Sequence, residues 1–156
     1  MANRGFDISS LRFNFINDLA YGEKGEDLIA SFLEQVSHGD FEVKSDRYRN
    51  GRMVVETNQN PRGKVDVNGE KVWELSGLNV TTSAWWVYIF SPDGAFVVVS
   101  VQRLKNFLRQ NKDKFNESTK RDFGGASNPV RGFLLYPEHI QDLMTNPAYD
   151  PAYGTG

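Results

Sequence analysis

The sequence predicts an α/β (α+β) fold in which a mixed β-sheet is flanked by helices. The first observation is the helical spacing of apolar residues between positions 9 and 37. The second is a set of strand-like segments between positions 40 and 101. The third is the order of the later segments, a helix at 102–111, a strand at 131–136 and a short helix at 138–144. This order is typical of a sheet with helices packed on it.

Composition is that of a single globular domain. Of the 156 residues, 39% are hydrophobic, which is enough for one core, and 24% are charged. No apolar run approaches the ~20 residues of a membrane helix, and the N-terminus lacks a signal-peptide pattern, so we expect a cytoplasmic protein without membrane contact. The absence of cysteine excludes disulfides, thiolate metal sites and cysteine nucleophiles. We predict one domain over residues 1–145 and a flexible C-terminal tail over 146–156.

Two helices are predicted before the first strand. Apolar residues recur at helical spacing over 9–20, the dipeptide Tyr21-Gly22 interrupts the pattern, and a stronger helix follows over 24–37. At roughly 100° per residue, Glu26 lies at the border of the apolar stripe of this second helix. The stripe consists of Leu28, Ile29, Phe32, Leu33 and Val36.

The strands are predicted from alternating polarity and from turn residues. Residues 40–48 and 52–59 form a predicted β-hairpin around Asn50-Gly51. Trp85 and Trp86 are adjacent in a strand and must point to opposite faces, so one of them is expected in the core. The remaining predicted segments are a short strand at 72–75, strong strands at 85–90 and 95–101 joined by Pro92-Asp93-Gly94, and a polar loop at 112–130.

The register of the first predicted hairpin decides which side chains face each other. A two-residue turn at Asn50-Gly51 would set Asp46 across from Val55 and mix the apolar and polar faces. A bulged three-residue loop, which adds Arg52 to the turn, sets Asp46 opposite Glu56 and gathers the apolar residues on the other face. We therefore predict the bulged register, with the two carboxylates about 5 Å apart at Cβ.

Two carboxylates at that distance favour a cation between them, because like charges repel. The expected cofactor is Mg²⁺ (or Mn²⁺), since Mg²⁺ is commonly held by one or two carboxylates together with substrate phosphate and water. In the same register Lys44 faces Asn58, and either side chain could orient a water or stabilise developing charge. The alternative is that the acids form a solvated hairpin face and that Lys44 is a cross-strand ion-pair partner.

A basic cluster near these acids is a candidate surface for phosphate contacts. Arg47, Arg49 and Arg52 crowd the predicted hairpin tip, and Arg62 and Lys64 follow soon after. The net charge of −2 counts mildly against a nucleic-acid binder, although the eighteen Lys and Arg residues are enough to form a local patch. A purely solubilising tip is the alternative.

Motifs of other common site classes are missing. His38 and His139 are far apart and belong to no cluster with metal-ligand spacing, which argues against an HNH-type nuclease or a zinc hydrolase. No GxxxxGK[ST], GxGxxG or GxSxG motif occurs, which argues against common nucleotide-binding proteins and serine hydrolases.

The order of the acidic segments resembles that of a known nuclease superfamily. A helical glutamate in the segment GEKGEDLIASFL (22–33) precedes the strands EVKSD (42–46) and VVETN (54–58). A Ser76-Gly77 segment then continues through Thr82, Ala84 and Trp86. Over roughly residues 22–108 this order resembles small phage and bacterial members of the PD-(D/E)XK nuclease superfamily. The resemblance implies a restriction-endonuclease-like core, with a mixed β-sheet flanked by helices.

The resemblance also implies roles for particular residues. Glu26 would be the acid of the first helix, and Asp46 and Glu56 would be metal ligands together with it. The lysine that usually ends the (D/E)XK triplet is replaced by Asn58, which is a departure from the pattern. We expect Lys44 to take over the role of that lysine.

The function implied by the resemblance is that of a metal-dependent DNA endonuclease that hydrolyses phosphodiester bonds. DNA would be its partner, a homodimer is expected by analogy with junction resolvases of the superfamily, and a phage-encoded member would act in the host cytoplasm. Two alternatives stay open. One is a catalytically inactive nucleic-acid-binding or regulatory protein on the same fold, and the other is a protein-interaction module with the carboxylates as plain surface.

Overall fold

The computed structural model describes residues 8–46, 48–123 and 128–151, and for residues 8–21 it describes the backbone alone. The chain divides into two compact units, Met1–Gly39 and Asp40–Gly156. The first contains one helix, and the second contains two helices and every strand within the described ranges, so the predicted mixture of helices and sheets is confirmed. The elements are α1 (Ile8–Ser37), β1 (Phe41–Ser45), β2 (Met53–Gln59), β3 (Glu74–Leu75), β4 (Trp85–Ser91), β5 (Ala95–Ser100), α2 (Val101–Asn111), β6 (Lys120–Phe123), β7 (Val130–Leu135) and α3 (Pro137–Thr145).

Helix α1 is continuous over 30 residues, so the predicted break at Tyr21-Gly22 is wrong. A glycine inside a helix costs only about 1 kcal/mol relative to alanine, which flanking Leu, Ala, Glu and Lys residues can offset. The helix ends before Gly39, whose φ of +76° suits a residue without a side chain. Neither α1 nor any other helix in the described ranges combines the length and the apolar character that crossing a bilayer requires.

The first sheet has the strand order β1-β4-β5. Strand β1 runs parallel to β4, with Lys44 beside Tyr88. Strands β4 and β5 form the predicted antiparallel hairpin, with its turn at residues 92–94. Alternation along β4 places Trp86 in the core with 0% of its surface exposed, whereas the neighbouring Trp85 is half-buried, so the prediction that one of this pair enters the core is confirmed.

The second sheet has the strand order β3-β2-β7-β6. Strand β2 is antiparallel to β7, with Glu56 opposite Gly132, and the register shifts between Glu56 and Asn58. Strand β6 pairs with β7 alone and forms an edge, so the predicted loop over 112–130 is wrong across β6. The sequence of β6 (KRDF) lacks apolar alternation because a charged, exposed edge strand does not need it.

The predicted hairpin between β1 and β2 is wrong, because the two strands lie in different sheets. The segment that connects them turns where the Asp46 carboxylate accepts hydrogen bonds from the amides of Tyr48 (2.8 Å) and Asn50 (3.3 Å). Burial of apolar side chains selects strand partners as strongly as turn propensity does. Met53 and Val55 of β2 enter the core at 0% exposure, while β1 adds a hydrogen-bonded neighbour to the apolar strand β4.

Both sheets of the second unit, together with α2 and α3, contribute to one hydrophobic core. Helix α2 is confirmed close to its predicted bounds of 102–111, and α3 close to its predicted bounds of 138–144. Helix α2 begins at the N-cap Ser100, whose hydroxyl accepts a hydrogen bond from the amide of Arg103 (3.1 Å). The largest fully buried side chains of the core are those of Trp86, Phe107, Met53, Leu104, Leu135, Leu143 and Val55.

The segment after α3 packs against the second unit as far as residue 151. Tyr149 is only 4% exposed, and the Asn106 side chain of α2 donates to its backbone carbonyl (3.1 Å). Arg103 forms an ion pair with Asp150. The flexible tail over 146–156 stays a prediction, and the residues after 151 lie outside the described ranges.

Replacing Tyr149 with phenylalanine is expected to lower the free energy of unfolding by about 1–3 kcal/mol near neutral pH. The Tyr149 hydroxyl donates to the Asp142 carboxylate (Oη–Oδ2 2.5 Å), and this bond is the main cause that lowers the pKa of Asp142 below its ordinary 3.8. The stabilisation is therefore complete above pH 3.8 and is lost as the pH falls through the lowered pKa. Urea unfolding at neutral pH and at several acidic pH values measures this difference.

Tyr136→Phe is the matched control for this prediction. The Tyr136 hydroxyl donates to the backbone carbonyl of Ser118 (3.3 Å) rather than to a carboxylate. Its removal is expected to cost less and to show no dependence on acidic pH. An equal, pH-independent loss in the two variants would contradict the role given to Asp142.

Candidate functional site

Glu56 lies in the middle of β2, between two glycines that closely approach its strand. Gly132 is its partner on β7, and a Cβ added at Gly132 would lie 2.0 Å from the Val55 carbonyl oxygen. A Cβ added at Gly77 would lie 2.2 Å from the Glu56 carbonyl oxygen, and Gly77 has a φ of +51°. The Ser76-Gly77 segment singled out in the sequence is therefore packed on the strand that carries Glu56.

The Glu56 side chain is half-buried and has no hydrogen-bond or ion-pair partner in the part of the chain that the structure describes. On the neighbouring segment, Ser76 is 6% exposed, and its hydroxyl also lacks a partner there. The Ser76 amide donates to the carbonyl of Thr57 (2.9 Å), which keeps this segment against β2. Because buried polar groups are usually paired, these free groups indicate a place where a polar ligand could bind.

Asp46 directly follows β1, and its amide donates to the Ile89 carbonyl of β4 (2.8 Å). Burial raises the pKa of Tyr88, its hydrogen bond with the Val54 backbone lowers it, and the negative charge of Asp46 raises it. The Asp46 carboxylate is thus close enough to act on the Tyr88 hydroxyl.

Asp46 and Glu56 do not form the predicted cross-strand pair. Glu56 is opposite Gly132, and Asp46 follows a strand of the other sheet. Within the described ranges, no group of three or more His, Asp or Glu side chains is arranged to hold a metal ion. Tyr88 packs in the core with Met53 and Val55, whose side chains lie on the opposite face of β2 from Glu56.

Lys44 and Asn58 do not face each other, because they belong to different sheets, so this part of the prediction is wrong. The Lys44 ammonium lies 2.9 Å from the Glu42 carboxylate and 5.9 Å from the centroid of the Trp86 ring. Lys44 is therefore an ion-pair partner, although within one strand rather than across two strands.

Glu26 lies on an exposed part of α1. It borders a shallow depression together with Gly22, Gly25, Ile29 and Leu33, in agreement with its place at the edge of the apolar stripe. Because α1 belongs to the other compact unit, the role of Glu26 as a third metal ligand stays a prediction.

The predicted basic patch is divided between the two ends of β2. Arg49 is exposed in the turn after β1 and has a φ of +50°, whereas Arg52 lies over a tyrosine ring at 4.7 Å. Arg62 and Lys64 follow the other end of β2, which has 7 residues and a length of about 20 Å. Arg47 lies outside the described residues. The use of the four described cations for phosphate contacts stays a prediction.

A second basic surface, which the sequence analysis missed, lines an open groove of about 530 Å³, here called the β6–β7 groove. Lys120 and Arg121 of β6 and Arg131 of β7 line it, together with Thr57 of β2. The sequence signal is only the Lys120-Arg121 pair in a polar stretch. The pairing of β6 with β7 is what brings Lys120 and Arg131 to one face of the sheet.

Comparison with known proteins does not assign the chain to a family. No protein-family description matches it, and neither a curated protein nor a solved structure does. Its function therefore has to be argued from the residues and contacts described above.

Proposed function

We propose that the protein is a divalent-metal-dependent DNA endonuclease in which Asp46 and Glu56 hold the metal ion. The observation that carries this proposal is the half-buried Glu56 carboxylate, which has no partner among the described residues and sits on a strand held between Gly77 and Gly132. A partly buried charge is costly unless a cation or a ligand offsets it. The order of the acidic segments, which resembles the PD-(D/E)XK superfamily with its restriction-endonuclease-like core, supports the same conclusion.

Asp46 supports the proposal through its proximity to Tyr88. The Asp46 charge is one cause that raises the pKa of Tyr88, and Tyr88 packs in the core with Met53 and Val55 of β2. A metal ion shared by Asp46 and Glu56 does not need a β1–β2 hairpin. It needs only that the two carboxylates reach the same ion.

The donor groups of these residues suit Mg²⁺ or Mn²⁺. Both ions favour carboxylate and water oxygen ligands, and Mg²⁺ sites often use one or two carboxylates and complete their coordination with water and substrate phosphate. A site of that kind does not require a third acidic residue, and the described ranges contain no larger acidic or histidine group arranged for a metal. When bound, the ion would polarise the phosphodiester and lower the pKa of an attacking water.

The protein's own side chains would position and stabilise the substrate. Lys44 is the cation proposed to stabilise the charge that develops on the phosphate, and Glu42 holds its ammonium at 2.9 Å. Arg49, exposed in the turn after β1, is proposed to contact the DNA backbone. The proposed homodimer would present two such sites to DNA.

The test is cleavage of labelled duplex, single-stranded and four-way-junction DNA by the full chain in Mg²⁺ or Mn²⁺. Wild type is expected to cleave at least one of these substrates. Asp46→Asn and Glu56→Gln are each expected to lower the rate about 100-fold or more, because each removes one anionic ligand of the metal. The amide side chains preserve size, and the Asp46→Asn side chain can still accept an amide hydrogen bond from the turn.

Asp66→Asn and Glu74→Gln are the matched controls. Asp66 accepts hydrogen bonds from the amides of Asn68 and Glu70, the same turn pattern that Asp46 forms, and Glu74 lies on β3 beside β2. Both controls are expected to cleave at the wild-type rate. The endonuclease proposal fails if folded wild type cleaves none of the substrates, or if the controls lose as much activity as the two site variants.

A non-catalytic nucleic-acid-binding protein is the second candidate. The observation that favours it is the presence of Asn58 in place of the motif lysine. Such a protein would bind DNA with equal affinity with and without Mg²⁺ and would cleave none. Binding measured by fluorescence anisotropy in EDTA and in Mg²⁺, beside the cleavage assay, separates the two candidates.

A further inference from the structure

Strand β5 is an open edge of the first sheet. It pairs with β4 on one side only, and within the described ranges residues 95–99 form no backbone hydrogen bond outside that pair. Ala95 is exposed, and Phe96 is 56% exposed. An edge strand of this kind presents a row of free amide and carbonyl groups with which another strand can pair.

The other three sheet edges in the described ranges carry features that oppose pairing with a further strand. Strand β1 carries the ion pair of Glu42 and Lys44, β3 has only two residues, and three of the four residues of β6 are charged. Short edge strands and charged side chains are the usual protection of an exposed edge. Strand β5 has six residues, AFVVVS, without a charge or a proline. Its composition therefore favours another strand as its partner.

The residues around β5 are complementary in charge to those of a second copy in antiparallel pairing. In such a pair the start of each strand lies beside the end of the other strand. The exposed Asp93 precedes β5 and forms no ion pair with any residue that the structure describes. Helix α2 begins directly after β5, has no acidic residue in its first turn and carries the exposed cation Lys105. A carboxylate is favoured at the positive N-terminal end of a helix, so Asp93 of one copy suits the start of α2 in the other.

We propose that two copies of the protein pair through their β5 strands, in antiparallel orientation, into one continuous six-stranded sheet. The order would be β1-β4-β5 followed by the same three strands of the second copy in reverse. Such an interface is isologous, because the same edge serves on both copies around a two-fold axis. The uncharged strand places no like charges across that axis, and the contact of Asp93 with α2 would form twice.

The homodimer is part of the proposed function, and the β5 edge gives that homodimer its surface. The pairing uses neither DNA nor metal, so it is measured separately from cleavage. Cleavage that depends on Asp46 and Glu56 in a protein that stays monomeric would keep the endonuclease and remove the β5 interface. Dimers that depend on β5, without cleavage of any substrate, would keep this inference and remove the endonuclease.

Sedimentation equilibrium of the full chain in EDTA, at protein concentrations up to about 100 µM, tests this inference. Wild type is expected to dimerise with a dissociation constant on the order of 10 µM, because one pair of short strands is a small interface. Phe96→Lys adds a charge at the exposed edge and is expected to weaken dimerisation about tenfold or more. Phe96→Thr keeps an uncharged residue that favours strands and is expected to dimerise within about threefold of wild type.

Val67→Lys is the matched control, because it adds the same charge at a fully exposed valine outside the strands, and it is expected to dimerise as wild type does. Asp93→Asn is expected to weaken dimerisation about threefold or more, because each dimer loses two helix-end contacts. A wild type that stays monomeric overturns the proposal, and so does equal dimerisation of wild type and Phe96→Lys. Unchanged dimerisation of Asp93→Asn overturns the antiparallel arrangement.

Discussion

Replacing Gly132 with alanine is expected to lower the free energy of unfolding by about 4 kcal/mol or more, a large part of the stability of an ordinary domain. A Cβ at this position would lie 2.0 Å from the Val55 carbonyl oxygen and 3.0 Å from the Glu56 Cα. These are backbone atoms of the neighbouring strand, which cannot move aside as a flexible side chain can. The pairing of β2 with β7 would have to open in the middle of the second sheet. Urea unfolding followed by tryptophan fluorescence measures the loss.

Gly25→Ala is the matched control for Gly132→Ala. A Cβ at Gly25 meets no atom within 4 Å, and the residue lies inside α1. Alanine is favoured over glycine in a helix by about 1 kcal/mol, so this variant is expected to be at least as stable as wild type. A stability of Gly132→Ala equal to that of wild type would contradict the close approach of β7 to β2.

The second large effect is expected for Phe107→Ala, with a loss of about 3–5 kcal/mol in the free energy of unfolding. Phe107 is 1% exposed, and its ring centroid lies 5.1 Å from that of Tyr149 and 5.9 Å from that of Phe115. Truncation would leave a cavity beneath α2 and would remove the aromatic contact between α2 and the segment after α3. Urea unfolding monitored by near-ultraviolet circular dichroism follows the loss of this packing.

Phe96→Ala removes an aromatic side chain of the same size from β5, where Phe96 is 56% exposed. A substitution at so exposed a position is expected to cost no more than about 1 kcal/mol, because most of the side chain already meets water. If the two phenylalanines proved equally costly to remove, the assignment of Phe107 to the core would be wrong.

The elements correctly predicted from the sequence are those whose signal lies within one short segment. Helix α2 follows the spacing of Leu104, Phe107 and Leu108, and all three are buried. The hairpin of β4 and β5 follows two apolar runs and the turn at 92–94. Alternation alone places either Trp85 or Trp86 in the core. Such patterns depend on the geometry of a single helix or hairpin, which is the same in every protein.

The errors in strand pairing concern partners that are distant in the sequence. The Asn50-Gly51 signal predicts that β1 pairs with β2, but β1 pairs with β4. The short charged strand β6 has no apolar pattern of its own, so its existence depends on the exposed edge of β7. Neither error could be corrected from local spacing, because the free energy that selects these pairings comes from the burial of apolar faces contributed by the whole unit.

The sequence by itself determined the alternation of polar and apolar positions in which Asp46 and Glu56 lie, and it predicted these two acids as the residues that carry the chemistry. Only the tertiary structure decided that β1, which Asp46 follows, and β2, which carries Glu56, lie in different sheets. It also decided that Gly132 packs tightly against the strand of Glu56. The physical reason is that residue spacing fixes the face of a strand, whereas the burial of apolar surface across the unit selects the strand that lies beside it.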